Sequence, residues 1–332
     1  MSASLKKGLR WAALGTAVAV SLSLAACTAS TSKTPTSGAT SGASGGGGRT
    51  YAIVDAATAG DTFWDVVKTG AEKAASIYGD KVTYQSDPDV QKQSQFIESA
   101  IAQKVDGLIV ALNNAGGLRS ALKDATAAGI PIVTINSGAQ DSASVGAIAH
   151  VGQTEYIAGQ AAGKQFAEAG AKYAICVIHE VGNIGLEDRC NGFTNTFGGK
   201  VDRIQVDISN IADAGNTIKS ALISNPSIDA VLTLNANLGV TATQAVADAG
   251  SKAKVATFDL ATDAIKAVQS GKLLFAIDQQ QYEQGYLPVV LLELYITNGN
   301  TLGGGSPVLT GPGFVTKDNA ASVLKFAENG TR

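Results

Sequence analysis

Histidine, cysteine and methionine are scarce in this sequence, whose 332 residues include two His, three Cys and one Met. His150 and His179 are not part of a cluster of metal ligands at a recognised spacing, so we expect no metal site. The sequence also lacks a G-x-S-x-G elbow, an H-E-x-x-H motif and a Walker loop. We therefore predict no catalytic residue, no cofactor and no enzymatic activity.

Positive charge is also limited. The chain has 25 Lys and Arg against 28 Asp and Glu, a net charge of −3, and no long basic run. Nucleic-acid binding needs a concentrated basic surface, so we do not expect it. A sugar-responsive repressor would in addition carry a helix-turn-helix and a basic N-terminus, and this sequence begins differently.

The first residues are typical of an export signal. Lys6, Lys7 and Arg10 precede an apolar segment that is too short for a comfortable membrane span, so residues 1–26 are predicted to be a signal peptide. The segment ends in Leu-Ala-Ala-Cys, which resembles the lipobox of bacterial lipoproteins and makes Cys27 the predicted lipidation site. The alternative is an ordinary signal peptide with an incidental cysteine.

A polar tract follows the predicted signal. Residues 27–48 are dominated by Ser, Thr and Gly, cannot form a core, and are predicted to be a disordered tether. A flexible coil of this length spans roughly 25 Å. With a lipid on Cys27, the rest of the chain would be held at the outer face of the cell membrane.

Two cysteines remain once Cys27 is assigned to the lipid. In an exported protein an even remainder suggests a disulfide, here between Cys176 and Cys190. Two buried free thiols are the alternative. A bridge closing a loop of about 15 residues would stabilise the fold by roughly 3 kcal/mol.

Short runs rich in Val and Ile alternate with amphipathic segments along the rest of the chain. This alternation predicts βαβ units and parallel sheets that are covered on both faces. It pauses near Ala149–Gly152 and then repeats, so we predict two α/β lobes from Arg49 onward. The apolar segment 282–299, interpreted as the last helix, should pack back on the first lobe.

Polar or aromatic residues follow most of the predicted strands. Ligands of open parallel sheets bind outside the carboxyl ends of the strands, so these residues are candidate ligand contacts. Amides and carboxylates suit hydroxyl groups, and an aromatic pair offers a flat face to a sugar ring, whereas an anion would need Arg or Lys. The candidates are Asp61, Phe63, Trp64, Asn136, Ser137, Asn235, Asp259 and Gln279.

These candidates also have a purely structural explanation. Asn235 and Asp259 precede helical segments and could cap them. Phe63 and Trp64 could staple the start of a helix onto the core. The convergence of several strand ends on one sheet edge favours a shared ligand site.

Seven segments together resemble a known family. They are, in chain order, GDTFW, KVDGLIVAL, AGIPIVTINS, GLEDRCNGF, DAVLTLN, VATFDL and GKLLFAIDQQQYEQG. In this order they resemble the extracytoplasmic sugar-binding proteins of ABC importers, the ribose/galactose-type group with the type I periplasmic-binding-protein fold. The resemblance implies two Rossmann-like lobes with parallel sheets, joined by a three-strand hinge, that close on a sugar.

The resemblance also implies an organisation and a function. It places residues 49–151 plus 281–309 in an N-terminal lobe and residues 152–280 plus 310–332 in a C-terminal lobe. It implies a monomer that captures a neutral sugar or polyol and delivers it to an ABC permease. The family's stacking aromatics fall on Phe63 and Trp64, and its polar contacts fall on Asp61, Asn235, Asp259 and Gln279.

Three positions depart from the family pattern. Asn136 stands where ribose binders have an acid, and Ser137 follows it where Arg is frequent. Glu187 stands at the position of a second arginine, with Arg189 two residues later, and both are candidate ligand contacts. Both sugar-gripping arginines are thus interpreted as changed, and because Ser or Glu cannot replace a bidentate Arg, we expect a ligand other than ribose.

Import is one of two functions that the sequence leaves open. A lipoprotein of this kind could instead bind a nucleoside or a signalling molecule and pass it to a sensor. The residues quoted above do not separate the two.

Overall fold

The computed structural model describes residues 48–58 and 61–332. The predicted signal peptide, Cys27 and the predicted tether up to residue 47 lie outside this part of the chain. Within it, no helix is both long enough and apolar enough to cross a membrane.

The described residues form twelve strands. They are β1 (Thr50–Asp55), β2 (Lys81–Ser86), β3 (Gly107–Ala111), β4 (Ile132–Ile135), β5 (Ala149–Gln153), β6 (Tyr173–Ile178), β7 (Lys200–Gln205), β8 (Ala230–Thr233), β9 (Lys254–Phe258), β10 (Ala276–Asp278), β11 (Val308–Gly311) and β12 (Gly313–Val315).

Ten α-helices lie between or after these strands in the same part of the chain. They are α1 (Thr62–Tyr78), α2 (Val90–Ala102), α3 (Ala115–Ala127), α4 (Glu155–Glu168), α5 (Ile184–Phe197), α6 (Ile211–Ser224), α7 (Ala236–Asp248), α8 (Thr262–Gln269), α9 (Gln281–Asn298) and α10 (Ala320–Glu328).

The strands form two six-stranded sheets. The first has the order β11-β5-β4-β3-β1-β2 and the second the order β12-β10-β9-β8-β6-β7. All neighbouring strands are parallel except β10 and β12. The chain passes between the sheets three times, after β5, after β10 and between β11 and β12. The predicted α/β fold, with two parallel-sheet lobes joined by three crossing segments, is confirmed.

The burial pattern explains why each sheet is covered on both faces. The central strands are continuous apolar runs, and β3 and β4, for example, are buried at every position. A strand that is apolar at every position must bury both its faces, and amphipathic helices on the two sides satisfy this requirement. Each sheet accordingly has a hydrophobic cluster on either face.

The C-terminal part of the chain contains one helix more than predicted. Helix α9 packs against α1 of the first lobe, as expected, but it is not the last helix. The shorter α10 follows it and packs on α8. Ala320, Val323 and Leu324 lie on one face of α10 against the core of the second lobe, at helical spacing, so the periodicity is present in the sequence and the helix was overlooked.

Cys176 on β6 and Cys190 on α5 form a disulfide in the structure. Both are completely buried in the cluster between the second sheet and helices α4 and α5. The bridge therefore ties α5, which carries residues of the interlobe cavity described below, to a central strand.

Candidate functional site

A small cavity lies between the two lobes, at the carboxyl ends of both sheets, and we call it the closed cavity because side chains of both lobes meet around it. The space between its atoms measures about 280 Å³, part of it open to solvent. Its walls come from both lobes and from the crossing segment after β10. The lining residues are Asp61, Phe63, Trp64, Asn136, His179, Glu180, Asn183, Leu186, Arg189, Leu234, Asp259 and Gln279.

Asp61 and Asn235 cap helices and also join the lobes. The Asp61 side chain accepts a hydrogen bond from the Phe63 N–H at 3.1 Å and so caps α1. The Asn235 side chain accepts from the N–H groups of Asn237 and Leu238 and caps α7. Asn235 Nδ2 also donates to Asp61 Oδ1 across the cleft, at 3.1 Å. Capping and lining the cavity are therefore compatible roles for Asp61, whereas Asn235 does not line the cavity and instead caps α7 and holds Asp61 across the cleft.

Asn136 and Asp259 end their strands in a conformation that few residue types tolerate. Their φ angles are +61° and +70°, in the left-handed region where Asn and Asp are enriched. Asp259 does not cap α8, whose N-cap Ala261 makes no side-chain hydrogen bond. Its carboxylate accepts from Gln279 Nε2 at 2.5 Å, and Asn136 Nδ2 donates to Gln279 Oε1 at 3.1 Å. Gln279, on a crossing segment, thus connects the strand ends of both lobes.

Phe63 and Trp64 serve the core and the cavity together. Their rings meet edge to face, with centroids 5.0 Å apart and an interplanar angle of 80°. Both belong to the hydrophobic cluster of the first lobe and both line the cavity. The perpendicular arrangement lets adjacent residues at a helix start pack on the core and still present apolar surface to the cleft.

Arg189 is a buried cation in the cavity wall. Its guanidinium binds the Glu155 carboxylate through Nε at 2.5 Å and Nη2 at 3.1 Å, and lies 4.6 Å from the centre of the Phe258 ring. Burial alone would lower the pKa of Arg189, but Glu155 outweighs it and the pKa is raised. Helices α4 and α5 approach closely here, since a Cβ on Gly159 would lie 2.1 Å from the Arg189 carbonyl oxygen.

The structure does not bring Glu187 to the cavity. Glu187 is exposed on α5 and pairs with Arg203 on β7 at 2.6 Å. Residues two apart on a helix point to different faces, so Arg189 and Glu187 cannot both face the cleft. Of the two residues of this helix that are predicted to contact a ligand, the structure thus places Arg189 at the cavity and Glu187 away from it.

Ser137 lies behind the cavity wall. Its hydroxyl group is hydrogen-bonded to Asn136 Oδ1 at 3.0 Å and, across the cleft, to Asn183 Oδ1 at 3.2 Å. A Cβ on Gly185 would lie 2.4 Å from Ser137 Oγ, so the two lobes are in close contact at this point.

Sequence reasoning missed several cavity residues, and Glu180 is the most informative. Its Oε2 accepts from Asn183 Nδ2 at 2.6 Å and from Asn113 Nδ2, in the other lobe, at 3.2 Å. Glu180 and His179 directly follow β6, so the strand-end rule applied to the other strands would have found them. The other missed lining residues are Asn183, Leu186 and Leu234.

Three of the cavity residues could offer atoms to a metal ion. The nearest ligand atoms of Asp61, His179 and Glu180 lie within 4.8 Å of one another, the one such group found among the described residues. The carboxylates already accept hydrogen bonds from amide side chains. This arrangement suits hydroxyl donors of a ligand as well as it suits a cation.

Burial makes the acids of the cavity unusual. It raises the pKa of Asp61 and of Asp259 to about 7, and for Asp61 the neighbouring Glu180 adds to the effect. Burial also raises the pKa of Glu180 and, with help from Arg189, lowers that of His179 to about 3. A ligand with several hydroxyl groups can donate further hydrogen bonds to these carboxylates in their charged form.

These shifts predict how the ligand-free protein responds to pH. In the unfolded chain Asp61 and Asp259 titrate near 3.9, so between pH 4 and 7 the folded state binds more protons. Their contribution to stability is therefore lost as pH rises through 7. We expect a double variant, Asp61→Asn with Asp259→Asn, to melt at nearly the wild-type temperature at pH 4 and several degrees higher than wild type at pH 8.

The two buried histidines make stability rise with pH, which opposes the effect of the two acids. Wild type and variant share these histidines, so their effect cancels in the difference between the two melting temperatures. Burial lowers the pKa of His150 to about 4 and that of His179 to about 3, so both gain stability as pH rises to 6.5. Asn can still accept the hydrogen bonds that Asp61 and Asp259 accept. An equal melting-temperature difference at pH 4 and pH 8 by calorimetry would contradict the prediction, and Glu187→Gln, at a partly exposed position, serves as the control.

Known proteins are similar to this chain in sequence and in fold. A sequence profile of the periplasmic binding protein domain matches residues 53–301. A solved carbohydrate transporter from Acidothermus cellulolyticus, in complex with myo-inositol, is 44% identical with a TM-score of 0.85, over 86% of this chain and 100% of that one. The ribose import binding protein of Bacillus subtilis is 28% identical over 67% of this chain and 74% of its own length. The fructose import binding protein of Bifidobacterium longum is 27% identical over 80% of this chain and 83% of its own length.

These matches decide between the classes of protein considered from the sequence, which were an enzyme, a sugar-responsive repressor and a sugar-binding protein. The profile covers about three quarters of the chain, including the strand ends of both lobes that line the cavity. The matched proteins are sugar-binding components of transport systems, and the expectation that the chain is not an enzyme is confirmed. The chain belongs to the family of periplasmic binding proteins that serve sugar ABC transporters.

Proposed function

We propose that the protein captures one neutral ring, a cyclic polyol such as myo-inositol or a monosaccharide, between its lobes and delivers it to an ABC permease. The composition of the closed cavity carries this proposal. Carboxylates and amides from both lobes surround a space of about 280 Å³, with an aromatic pair on one side. The relative that is 44% identical was crystallised with myo-inositol, which is a ligand of this kind.

The charges in the cavity favour an uncharged ligand. Asp61, Glu180 and Asp259 line it, against Arg189 as the one Lys or Arg among the described lining residues. Arg189 is already neutralised by Glu155. An anion would meet uncompensated carboxylates, whereas hydroxyl groups donate to carboxylates and accept from Arg189 and the amides.

Contacts from both lobes explain how binding closes the cleft. The closed form has hydrogen bonds across the cleft from Asn235 to Asp61 and from Asn113 to Glu180. A ligand that touches both lobes binds the closed form better than the open form, and only this difference in affinity shifts the population. Closure would then present a joint surface of the two lobes to the permease.

We further propose that the protein acts as a monomer on the outer face of the membrane. This rests on the predicted signal peptide at residues 1–26, lipidation of Cys27 and the tether that follows. The lobe boundaries proposed from the sequence are 49–151 plus 281–309 and 152–280 plus 310–332. One lipid chain alone binds membranes weakly, so a diacyl anchor is the type that would hold the protein there.

A thermal-shift screen of the chain from residue 48 onward tests the function. The panel contains myo-inositol, D-ribose, D-fructose and D-glucose, with myo-inositol 1-phosphate, L-leucine and adenosine as controls. A true ligand at 100 times its Kd adds about 2.7 kcal/mol of stability and should change the fluorescence of Trp64. A shift confined to leucine, adenosine or the phosphate would refute the proposed function.

A further inference from the structure

A second and larger space lies at the mouth of the cleft, which we call the vestibule. It measures about 1450 Å³ between its atoms, part of it open to solvent, against about 280 Å³ for the closed cavity. Its walls follow β1, β2 and β3 in one lobe and β6 and β7 in the other. The crossing segments extend from β5, β10 and β11, which lie toward the opposite edge of each sheet in the strand order. The vestibule is therefore the side of the cleft that faces away from the hinge.

The vestibule has the same mixed chemistry as a carbohydrate site. Polar amide and hydroxyl groups come from Thr58, Gln93 and Ser209, and apolar surface comes from Val181 and Val206. Neither Lys nor Arg is found among the described residues that line it, whereas Glu180 and Asp207 are. Such a wall accepts hydroxyl groups and ring C–H surface and disfavours a phosphate or a carboxylate.

Three wall residues have a buried polar atom without a hydrogen-bond partner. They are Gln93 Oε1, Asn113 Oδ1 and His179 Nδ1. Gln93 and Asn113 are only 2% and 5% exposed, so their oxygens become available to a ligand when the wall side chains rotate. An unsatisfied buried acceptor destabilises the fold, and a hydrogen-bond donor from a ligand would recover this free energy. Three such atoms around one space distinguish the vestibule from an ordinary surface groove.

The wall between the vestibule and the closed cavity consists of polar side chains. His179, Glu180 and Asn183 line both spaces. Glu180 is held there by hydrogen bonds from Asn183 and from Asn113, not by hydrophobic packing. Rotation of these side chains, with their hydrogen bonds exchanged for bonds to the ligand, would connect the two spaces.

We propose that the vestibule is a second subsite, which takes an uncharged, hydroxylated substituent attached to the ring in the closed cavity. The inference rests on the proposed function and adds to it. The natural ligand class is then a glycoside of the polyol or sugar, with its first ring between the lobes and its second ring in the mouth of the cleft.

Calorimetric titration with two related probes tests the proposal. The probes are myo-inositol and its neutral α-galactoside, 1-O-galactosyl-myo-inositol. We expect the galactoside to bind at least as tightly as myo-inositol. If myo-inositol binds and the galactoside does not, the vestibule proposal is wrong and the proposed function stands. If neither probe binds, both are overturned for this ligand class.

A bulky substitution in the vestibule separates the two subsites. Val181 is 79% exposed and lines the vestibule but not the closed cavity. We expect Val181→Trp to weaken galactoside binding by about tenfold or more, or 1.4 kcal/mol, while myo-inositol binding stays within about twofold. The control is Ile77→Trp on the outer surface of α1, where Ile77 is 57% exposed. If Val181→Trp affects both probes equally, or neither, the substituent does not occupy the vestibule and the proposal fails.

Discussion

Replacing Arg189 with methionine should destabilise the protein by about 3–5 kcal/mol and weaken ligand binding by roughly 10–100-fold. The stability loss follows because the substitution leaves Glu155 as a buried charge without its partner. The affinity loss follows because three of the five guanidinium N–H groups are bonded to Glu155 and Leu234, which leaves two for the ligand. A hydrogen bond to a charged group contributes about 1.5–3 kcal/mol.

The matched control for this prediction is Arg203→Met. Arg203 also pairs with a glutamate, Glu187, but both side chains are 37% exposed, and such surface pairs contribute about 0–1 kcal/mol. Urea unfolding and calorimetric titration with the best ligand of the panel give the two quantities. If Arg203→Met matches Arg189→Met in either measurement, the assignment of Arg189 to the site is wrong. Loss of binding in Glu187→Gln would instead support the position inferred from the sequence.

Replacing Trp64 with leucine should weaken ligand binding by about tenfold and lower the unfolding free energy by about 2–4 kcal/mol. The stability loss reflects a large side chain that is 4% exposed and packs in the core of the first lobe. The affinity loss reflects the flat ring surface, because leucine keeps most of the apolar contact but cannot stack on a ring.

Phe166→Leu is the control that separates these two effects. Phe166 is fully buried in the second lobe and does not line the cavity. Its variant should lose comparable stability and keep wild-type affinity. Binding is measured by calorimetry, since Trp64→Leu removes the fluorescent residue itself. Wild-type affinity in Trp64→Leu would mean that Trp64 serves only as a staple for α1.

The strand-end residues show how much of the site can be predicted from local sequence. A parallel sheet brings the carboxyl ends of its strands to one edge, so Asp61, Asn136, Asn235 and Asp259 could be grouped without knowledge of any contact. Whether each one caps a helix could not be decided in this way. Asn235 caps and Asp259 does not, because Asp259 has a left-handed backbone and its side chain reaches Gln279.

The second lobe shows where local sequence was insufficient. Arg189 and Glu187 are two residues apart on one helix, and only the packing of α5 against α4 decides which one faces the cleft. Glu155 is 34 residues away from Arg189 in the sequence, so nothing local indicated the ion pair that holds this cation in place. The extent of burial, and with it the raised pKa of Asp259, also depends on contacts between distant segments.

The sequence by itself determined the two-lobed α/β architecture and the strand ends that converge between the lobes. It did so because hydrophobic periodicity and the direction of parallel strands are local properties that each segment carries on its own. The tertiary structure alone decided which face of α5 lines the cavity, how Arg189 is neutralised, and that a vestibule lies beside the cavity. These features depend on the relative positions of segments far apart in the chain, which only the packing of the lobes establishes.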